Sequence, residues 1–356
     1  MSRGGVRLYR RLFLLFTMMA VLAACGRGHN GAYEVVFSMD GAANPESANT
    51  KDEADHKPYR IALVPKGVEI PYFKFAAEGA QEAAGDYGDE VIFAGPKTAG
   101  AEEQIRVIED LIEQDVDLIA VSANDPDKLV PVLLKAKRQG IKVITWDADT
   151  LPAAREFFVN MVEPETLGRH LMDTMALAMG EKGEFAVMTG SLSAANLNEW
   201  LKWIRIQQEE FYPNMKLVEV VPTNDDVAKA EELGRRLLAE YPHLGGVLGN
   251  SSVGPPGAAK AVREAGKAGQ VKVVGLSNPN LMKEYLKDDS AQIATLWSPK
   301  KLGYLTIALA HRYLSGEKPR DGQQIDKAGS IRVNGDMVIM GEPLDFTKDN
   351  VDQYDF

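Results

Sequence analysis

From residue 59 onward, short apolar runs alternate with stretches in which apolar residues recur every three or four positions. Runs of the first kind, such as residues 59–65, are typical of strands that are buried on both faces of a parallel sheet. The second kind is clearest at residues 102–114, where four aliphatic side chains share one face of a helix. The pattern therefore predicts strands that alternate with helices.

The alternation divides the chain into two halves of similar content. In the first half we predict strands at residues 59–65, 90–93, 117–123 and 142–149, and helices at 73–85, 102–114 and 128–138. In the second half we predict strands at 183–190, 217–222, 245–250 and 272–278, and helices at 166–179, 195–211, 226–240 and 257–265; residues 291–296 and 302–314 close the series. Two such halves predict an α/β fold with two similar lobes, each a doubly wound parallel sheet.

The first 58 residues lack the alternating pattern of the rest of the chain. Four arginines precede an apolar stretch at residues 12–22, which is shorter than the roughly 20 residues that a membrane-spanning helix needs. This order is typical of a secretory signal. Residues 26–58 have no periodic apolar face and cannot bury enough apolar area to offset their chain entropy. We predict a signal peptide over residues 1–24 and a disordered tether over 25–58.

The end of the signal resembles a bacterial lipoprotein box, Leu22-Ala23-Ala24-Cys25. The resemblance implies cleavage before Cys25 and a diacylglycerol on its thiol, so that the protein is anchored outside the cytoplasm. The alternative is an ordinary cysteine inside a signal sequence.

Composition narrows the class of protein further. Removal of 24 residues from the 356 leaves 332, more than the roughly 250–300 at which one core stops growing. The net charge of −11 argues against a nucleic-acid partner, which requires a basic face. Cys25 is the only cysteine, so the mature chain has no disulfide and no thiol for a second role.

No catalytic motif stands out in the sequence. There is no GxGxxG, Walker or GxSxG sequence, and the five histidines are not spaced as zinc ligands. Asp147 and Asp149 form one candidate acid–base pair, because residues two apart on a strand share a face. No nucleophile accompanies them. We therefore predict a protein that is not an enzyme and that uses neither cofactor nor metal.

In open α/β sheets, ligands bind at the carboxyl ends of the strands. Lys66 and Phe73 follow the first strand, Asp127 follows the third, and Trp146 and Asp147 end the fourth. A lysine donates to hydroxyl oxygens, a carboxylate accepts from two adjacent hydroxyls, and aromatic rings pack on C–H groups. Asp127 has an alternative role as the cap of the next helix.

The second half places further polar and aromatic side chains at strand ends: Asn196, Asn250, Ser252, Ser277 and Trp297. The short polar side chains among them are also ordinary turn residues when taken alone. Their coincidence at successive strand ends favours a site for a small ligand rich in hydroxyl groups.

Several stretches together carry a family resemblance: residues 61–66, 121–123, 145–150, 198–200, 274–280, 296–297 and 354–356. Over residues 59–356 the chain resembles the type I periplasmic binding proteins of ABC sugar importers, the ribose-binding-like class. Within that class it is most similar to the rhamnose-binding and autoinducer-2-binding branch.

The resemblance implies two lobes, joined by three crossovers, that close on the ligand by a hinge motion. The crossovers are expected near residues 159–163, after Ser277 and near 319–324. The N-terminal lobe is then 59–158 plus 280–322, and the C-terminal lobe is 159–279 plus 323–356. The expected partners are a sugar and the transmembrane subunits of a permease, and the expected state is a monomer.

The identity of the ligand can be narrowed down by comparing residue types at the candidate contacts with those of the autoinducer-2 branch. Lys66 and Asp127 match its contacts, but Asn196-Leu197 stands where that branch has Asp-Gln. Asn250 and Ser252 stand where it has Pro and Ala. We therefore expect a monosaccharide, with autoinducer-2 second. A methyl-bearing deoxy sugar would suit Phe73, Trp146 and Leu197 beside polar groups.

Two other classes of protein share this core. A lactose-repressor-type regulator would need an N-terminal helix-turn-helix, where this chain has the predicted signal and tether. A sensor partner that presents bound ligand to a receptor kinase or chemoreceptor stays open as an alternative.

Overall fold

The computed structural model describes residues 57–356. The predicted signal peptide, Cys25 and nearly all of the tether lie outside the described residues. Two main sheets, each flanked by helices, confirm the predicted α/β class with two doubly wound lobes.

The first lobe begins with three β–α steps, which are followed by the strands β4 and β5. Its elements are β1 (Arg60–Val64), α1 (Pro71–Tyr87), β2 (Glu90–Phe93), α2 (Ala101–Glu113), β3 (Leu118–Val121), α3 (Val130–Arg138), β4 (Lys142–Trp146) and β5 (Phe158–Asn160).

The second lobe follows with the same alternation. Its elements are α4 (Pro164–Met179), β6 (Gly183–Thr189), α5 (Ala195–Phe211), β7 (Met215–Pro222), α6 (Val227–Glu240), β8 (Leu244–Gly249), α7 (Gly254–Glu264), β9 (Lys272–Leu276), α8 (Pro279–Lys287) and β10 (Ile293–Leu296).

A long helix and five short strands complete the chain. They are α9 (Pro299–Leu314), β11 (Gln324–Ile325), β12 (Gly329–Ser330), β13 (Arg332–Asn334), β14 (Met337–Ile339) and β15 (Leu344–Phe346). Among residues 57–356, no helix has both the length and the apolar content required to cross a membrane.

The strand order defines the two lobes. The first sheet runs β13-β14-β5-β4-β3-β1-β2 and the second runs β15-β10-β9-β8-β6-β7. Within these two sheets the strand pairs are parallel except β13–β14 and β10–β15, which are antiparallel. β11 and β12 form a separate antiparallel pair. The parallel strands direct their carboxyl ends toward one edge of each sheet, which is where α/β proteins bind ligands.

Strand pairing corrects the predicted lobe boundaries. Residues 280–296 belong to the second lobe, because β10 pairs with β9. Residues 337–339 belong to the first lobe, because β14 pairs with β5. The first crossover lies after β5 as expected, but the second is at residues 297–298 and the third at 340–343. Local patterns specify a strand, whereas the sheet that it joins depends on distant pairing.

Close packing of α1 against α9 holds the first lobe together. A Cβ on Gly79 would lie 1.8 Å from the Lys300 carbonyl oxygen, and one on Gly303 would lie 1.8 Å from that of Ala76. Glycine at both positions lets the two helix backbones touch, which larger residues would prevent. This contact fixes the start of α1, which supplies side chains to the site.

Candidate ligand-binding site

A cavity of about 40 Å³ lies between the lobes, where the carboxyl ends of the two sheets face each other. One water needs about 10–15 Å³ by the same measure, so the cavity is larger than a single-water site. It is lined by Lys66, Ile70, Tyr72, Phe73, Asp147, Asn196, Leu197, Trp200, Asp225, Asn250, Ser251, Ser252, Leu276, Leu296 and Trp297.

Asp147 is the buried carboxylate of the first lobe, directly after β4. Its φ of 59° lies in the left-handed region, which aspartate tolerates better than most residues. Its amide donates to the Val159 carbonyl at 3.1 Å. Its Oδ2 accepts a 2.6 Å hydrogen bond from the Ser122 hydroxyl. The turn therefore aims a fixed acceptor into the cavity.

Lys66, directly after Pro65 at the end of β1, carries the facing positive charge. Only 4% of it is exposed, and its Nζ lies 3.7 Å from Asp147 Oδ2. The same Nζ donates to Asn196 Oδ1 in the second lobe at 2.9 Å. Asn196 Nδ2 in turn donates to the Asp147 carbonyl at 3.2 Å. One asparagine thus bonds to both charged residues of the opposite lobe.

Gln104 of α2 holds the first-lobe strand ends in place. Its Nε2 donates to the carbonyls of Pro65 and Ser122 at 2.9 and 2.8 Å, and its Oε1 accepts from the Asn124 amide at 2.9 Å. Asn124 Nδ2 donates to the Lys66 carbonyl at 2.9 Å. Buried polar groups that are fully bonded in this way give a rigid wall.

The second lobe presents polar groups that are less completely bonded. Asn250 is fully buried, and its Nδ2 donates to the Leu197 carbonyl at 2.9 Å. Its Oδ1 has no partner within the described part of the chain. A buried acceptor without a donor is costly. Asn250 Oδ1 is therefore placed to accept from a ligand hydroxyl.

Asp225 is a third charged residue of the cavity, and it follows β7. Burial raises the pKa of its carboxyl, and Asp147 adds to that effect, while Lys66 and Ser251 act in the opposite direction. The cavity therefore contains two carboxyl groups and one ammonium group.

Aromatic rings form the apolar wall. Tyr72 and Phe73 stand edge to face at 5.0 Å between ring centroids, and Trp200 and Trp297 do so at 6.0 Å. Trp297 Nε1 donates to the Tyr72 hydroxyl at 2.9 Å, which joins the two pairs. Burial raises the pKa of Tyr72 well above its usual value, so this hydroxyl stays neutral.

Three predicted contacts do not line the cavity. Trp146, the last residue of β4, is fully buried in the core, where it stands edge to face with Phe73 and donates to the Ala120 carbonyl at 3.2 Å. Asp127 is exposed. Ser277 is buried and donates to the Ser252 carbonyl at 2.8 Å, so it supports the wall from behind.

Two further expectations about carboxylates change. Asp125, not Asp127, accepts from backbone amides before α3, at 3.1 Å from the amides of Asp127 and Lys128. Asp149 does not share a site with Asp147, because it forms a bidentate ion pair with buried Arg155 at 2.8 and 2.7 Å. The candidate acid–base pair is therefore split between the cavity and the lobe interior.

The structure assembles the other predicted side chains: Lys66, Phe73, Asp147, Asn196, Leu197, Asn250, Ser252 and Trp297. It adds Tyr72, Trp200, Ser251 and Asp225, which the sequence analysis did not select as contacts. Tyr72 precedes Phe73 at the start of a helix, and this position was the signal that could have identified it. Within residues 57–356, no group of three histidine, cysteine or carboxylate residues is arranged to hold a metal ion.

The family follows from comparison with known proteins. A family model described as a periplasmic binding protein domain matches residues 61–318. Because this match spans more than half of the chain, the chain belongs to that family. A D-ribose/D-allose-binding protein of Pseudomonas aeruginosa is 29% identical over 275 residues, which cover 75% of this chain and 85% of the relative.

Solved structures agree with this assignment. A solute-binding protein of an ABC transporter from Clostridium phytofermentas, with bound L-rhamnose, has a TM-score of 0.80 at 29% identity, covering 84% of this chain and 98% of that one. LsrB from Clostridium saccharobutylicum, in complex with AI-2, has a TM-score of 0.79 at 25% identity, covering 83% and 100%. The resemblance proposed from the sequence is confirmed at the level of the family.

Proposed function

We propose that this chain is the substrate-binding protein of an ABC importer and that its ligand is a monosaccharide. The observation that carries the proposal is the interlobe cavity, in which Lys66, Asp147, Asn196 and Asn250 converge beside aromatic rings. Relatives named for ribose, allose and rhamnose support the same class of ligand.

The polar groups suit adjacent hydroxyls. Asp147 offers charged acceptors that pair with two neighbouring hydroxyl donors. Asn250 Oδ1 adds a buried acceptor from the second lobe, and the Lys66 ammonium donates to a hydroxyl or ring oxygen. These groups come from both lobes, so a ligand held by all of them favours the closed arrangement.

The apolar lining favours a sugar that carries a methyl group. Eight of the fifteen lining residues are aliphatic or aromatic, among them Phe73, Leu197 and Trp297. Burial of one methyl group against such a wall contributes roughly 0.8 kcal/mol. A hydroxymethyl group at the same place would bury a hydroxyl, which costs about 1–3 kcal/mol if it finds no partner. A deoxy sugar such as L-rhamnose is therefore our first candidate.

Contacts across the cleft support a hinge that closes on the ligand. Besides the Lys66–Asn196 bond, the Ser193 hydroxyl donates to the Asn124 carbonyl at 3.0 Å between the lobes. Three short crossovers join the lobes, so they can rotate with little change inside each one. The closed surface would be presented to the transmembrane subunits of the permease, and lipidated Cys25 would hold the protein at the outer face of the membrane.

Autoinducer-2 is the second candidate ligand. The observation that favours it is the similarity to LsrB in complex with AI-2. Asp127, which matched that branch in sequence, is exposed and outside the cavity, and this weakens the match.

Thermal-shift measurements of the purified protein test both candidates. The panel contains L-rhamnose, L-mannose, D-ribose, D-allose, D-arabinose and autoinducer-2. A ligand at 100 times its Kd stabilises the folded state by about 2.7 kcal/mol. We expect L-rhamnose to raise the midpoint more than L-mannose, which differs only by a hydroxyl on C6. A shift with autoinducer-2 and with none of the sugars would make autoinducer-2 the ligand and overturn the proposal of a monosaccharide. No shift with any member of the panel would also overturn the proposal.

A further inference from the structure

Asp225 stands at the boundary between two spaces. It lines the interlobe cavity, and it also lines a groove of about 720 Å³ that runs between the lobes on the solvent side. Of the residues around the two spaces, only Ile70 and Asp225 are common to both. These two side chains therefore lie where the groove adjoins the cavity.

The backbone around Asp225 is built to place this carboxylate. Asn224 and Asp225 both have a φ of 54°, in the left-handed region, and consecutive non-glycine residues of this kind are rare. The Asn224 amide donates to the Gly190 carbonyl at 2.8 Å, which ties the turn to the end of β6. Such conformations persist where surrounding contacts impose them, and they cluster at functional sites.

Gly190 leaves the space that the carboxylate needs. A Cβ at Gly190 would lie 2.5 Å from Asp225 Oδ1 and 2.8 Å from Leu197 Cδ1. Any side chain there would push the carboxylate out of the cavity wall. The position of Asp225 is thus specified by its own turn and by the neighbouring strand end.

Charge at this position is not neutralised by a direct ion pair. Asp225 forms no ion pair within 4.0 Å among the described residues, whereas Lys66 is 3.7 Å from Asp147 and bonded to Asn196. The cavity therefore holds one ammonium group and two carboxyl groups. With both carboxyl groups ionised, its net charge is negative.

We infer that Asp225 is a specificity-determining residue at the cavity entrance, which admits neutral polyhydroxylated ligands and rejects anionic ones. This inference rests on the proposed sugar-binding function and defines its substrate class. Asp225 accepts hydrogen bonds from ligand hydroxyls as charged acceptors do. It repels sugar acids and sugar phosphates through a low-dielectric path.

The test uses two ligands that differ in charge. L-Rhamnose is the neutral probe, and L-mannuronate, with a carboxylate in place of the methyl group, is the anionic probe. Both are titrated at pH 7.5 into the wild-type protein and into Asp225→Asn. Tryptophan fluorescence reports binding, because Trp200 and Trp297 line the cavity. Asp226→Asn is the matched control, since it removes the same charge one residue away, outside the cavity lining.

Removal of one charge roughly 8 Å from the ligand carboxylate, at an effective dielectric of about 20, predicts an affinity gain of about 30-fold for L-mannuronate. We expect this gain in Asp225→Asn only, with the affinity for L-rhamnose lowered by about 5-fold. The inference is overturned if L-mannuronate binds Asp225→Asn no better than it binds the wild type, or if Asp226→Asn shows the same gain in affinity. In either case, binding of L-rhamnose by the wild type would still support the proposed function. If neither the wild type nor the variant binds any neutral sugar, both the inference and the proposed function are contradicted.

Discussion

Asp147 and Asp149 are two residues apart, yet Asp147 lines the cavity and Asp149 pairs with Arg155 in the lobe interior. Substitution of each residue in turn should therefore affect ligand affinity and stability differently. Asparagine at position 147 keeps the size of the side chain and tolerates the left-handed backbone. It loses the negative charge that faces Lys66 and the ligand. Asparagine at position 149 loses half of a bidentate pair with Arg155, whose side chain is 3% exposed.

The expected effects on binding and on stability are opposite for the two variants. Asp147→Asn weakens two charge-assisted hydrogen bonds to the sugar and places an amide donor beside ligand donors, a loss of about 3 kcal/mol. That corresponds to roughly 100-fold in Kd. Its stability falls by about 1–2 kcal/mol, because the buried ammonium of Lys66 loses a charged neighbour at 3.7 Å but keeps its bond to Asn196. Asp149→Asn leaves Kd within about 3-fold and lowers stability by about 2–3 kcal/mol, because a buried guanidinium loses one of its partners.

Calorimetric titration with L-rhamnose and thermal unfolding of each purified variant measure the two quantities side by side. A loss of 2–3 kcal/mol lowers the midpoint of a chain of this size by roughly 5–10 °C. The reasoning is refuted if Asp147→Asn binds within 3-fold of the wild type. It is equally refuted if Asp149→Asn loses more affinity than Asp147→Asn does.

Three other predictions concern the fold and the anchor. His170 Nε2 donates a hydrogen bond to the Asp345 carboxylate, which raises the pKa of His170. The stabilisation is therefore complete below the unfolded value near 6.5 and is lost as pH rises through the raised pKa. The unfolding midpoint should fall from pH 6 to pH 8.5, and His170→Gln should flatten that dependence. Gly303→Ala should cost about 1–3 kcal/mol by forcing two helices apart, whereas Gly85→Ala, with open space around it, should cost nothing in the same denaturation assay. Cys25→Ser should move the protein from the membrane fraction to the soluble fraction, and an unchanged membrane fraction would contradict lipidation at this residue.

Much of the fold could be predicted because the parallel strands are buried on both faces. The run that became β1 is almost entirely buried, and such runs are read directly from hydropathy. The short strands β12 and β13 near the C-terminus are largely exposed and form antiparallel pairs. They carry no apolar run that marks them, and the helix α8 after β9 was missed as well.

Lobe membership was the part of the fold that local patterns could not determine. Residues 293–296 look like any buried strand, but their pairing with β9 places them in the second sheet. The chain then returns to the first sheet only through α9, which packs against α1. Such choices depend on contacts between residues far apart in sequence, so the predicted boundaries at 280–322 and 323–356 were wrong.

The site was predictable where a strand end and a side-chain type coincided. Lys66, Asp147 and Asn250 are examples, since each lies directly at a carboxyl end. Trp146 also ends a strand, but it packs in the core against Phe73 and does not line the cavity, which depends on tertiary packing. Asp225 was missed because it lies beside Asp226, the residue that caps α6, and the pair reads as ordinary turn chemistry. Only the observed cavity separates their roles.

The most direct test of the central claim is calorimetric titration of the purified protein with L-rhamnose and, in parallel, with L-mannose. We expect one bound sugar per chain, tighter binding of L-rhamnose than of L-mannose, and roughly 100-fold weaker binding of L-rhamnose in Asp147→Asn. Titrations of L-rhamnose, D-ribose and D-allose that show no heat beyond dilution would contradict the proposed sugar-binding function.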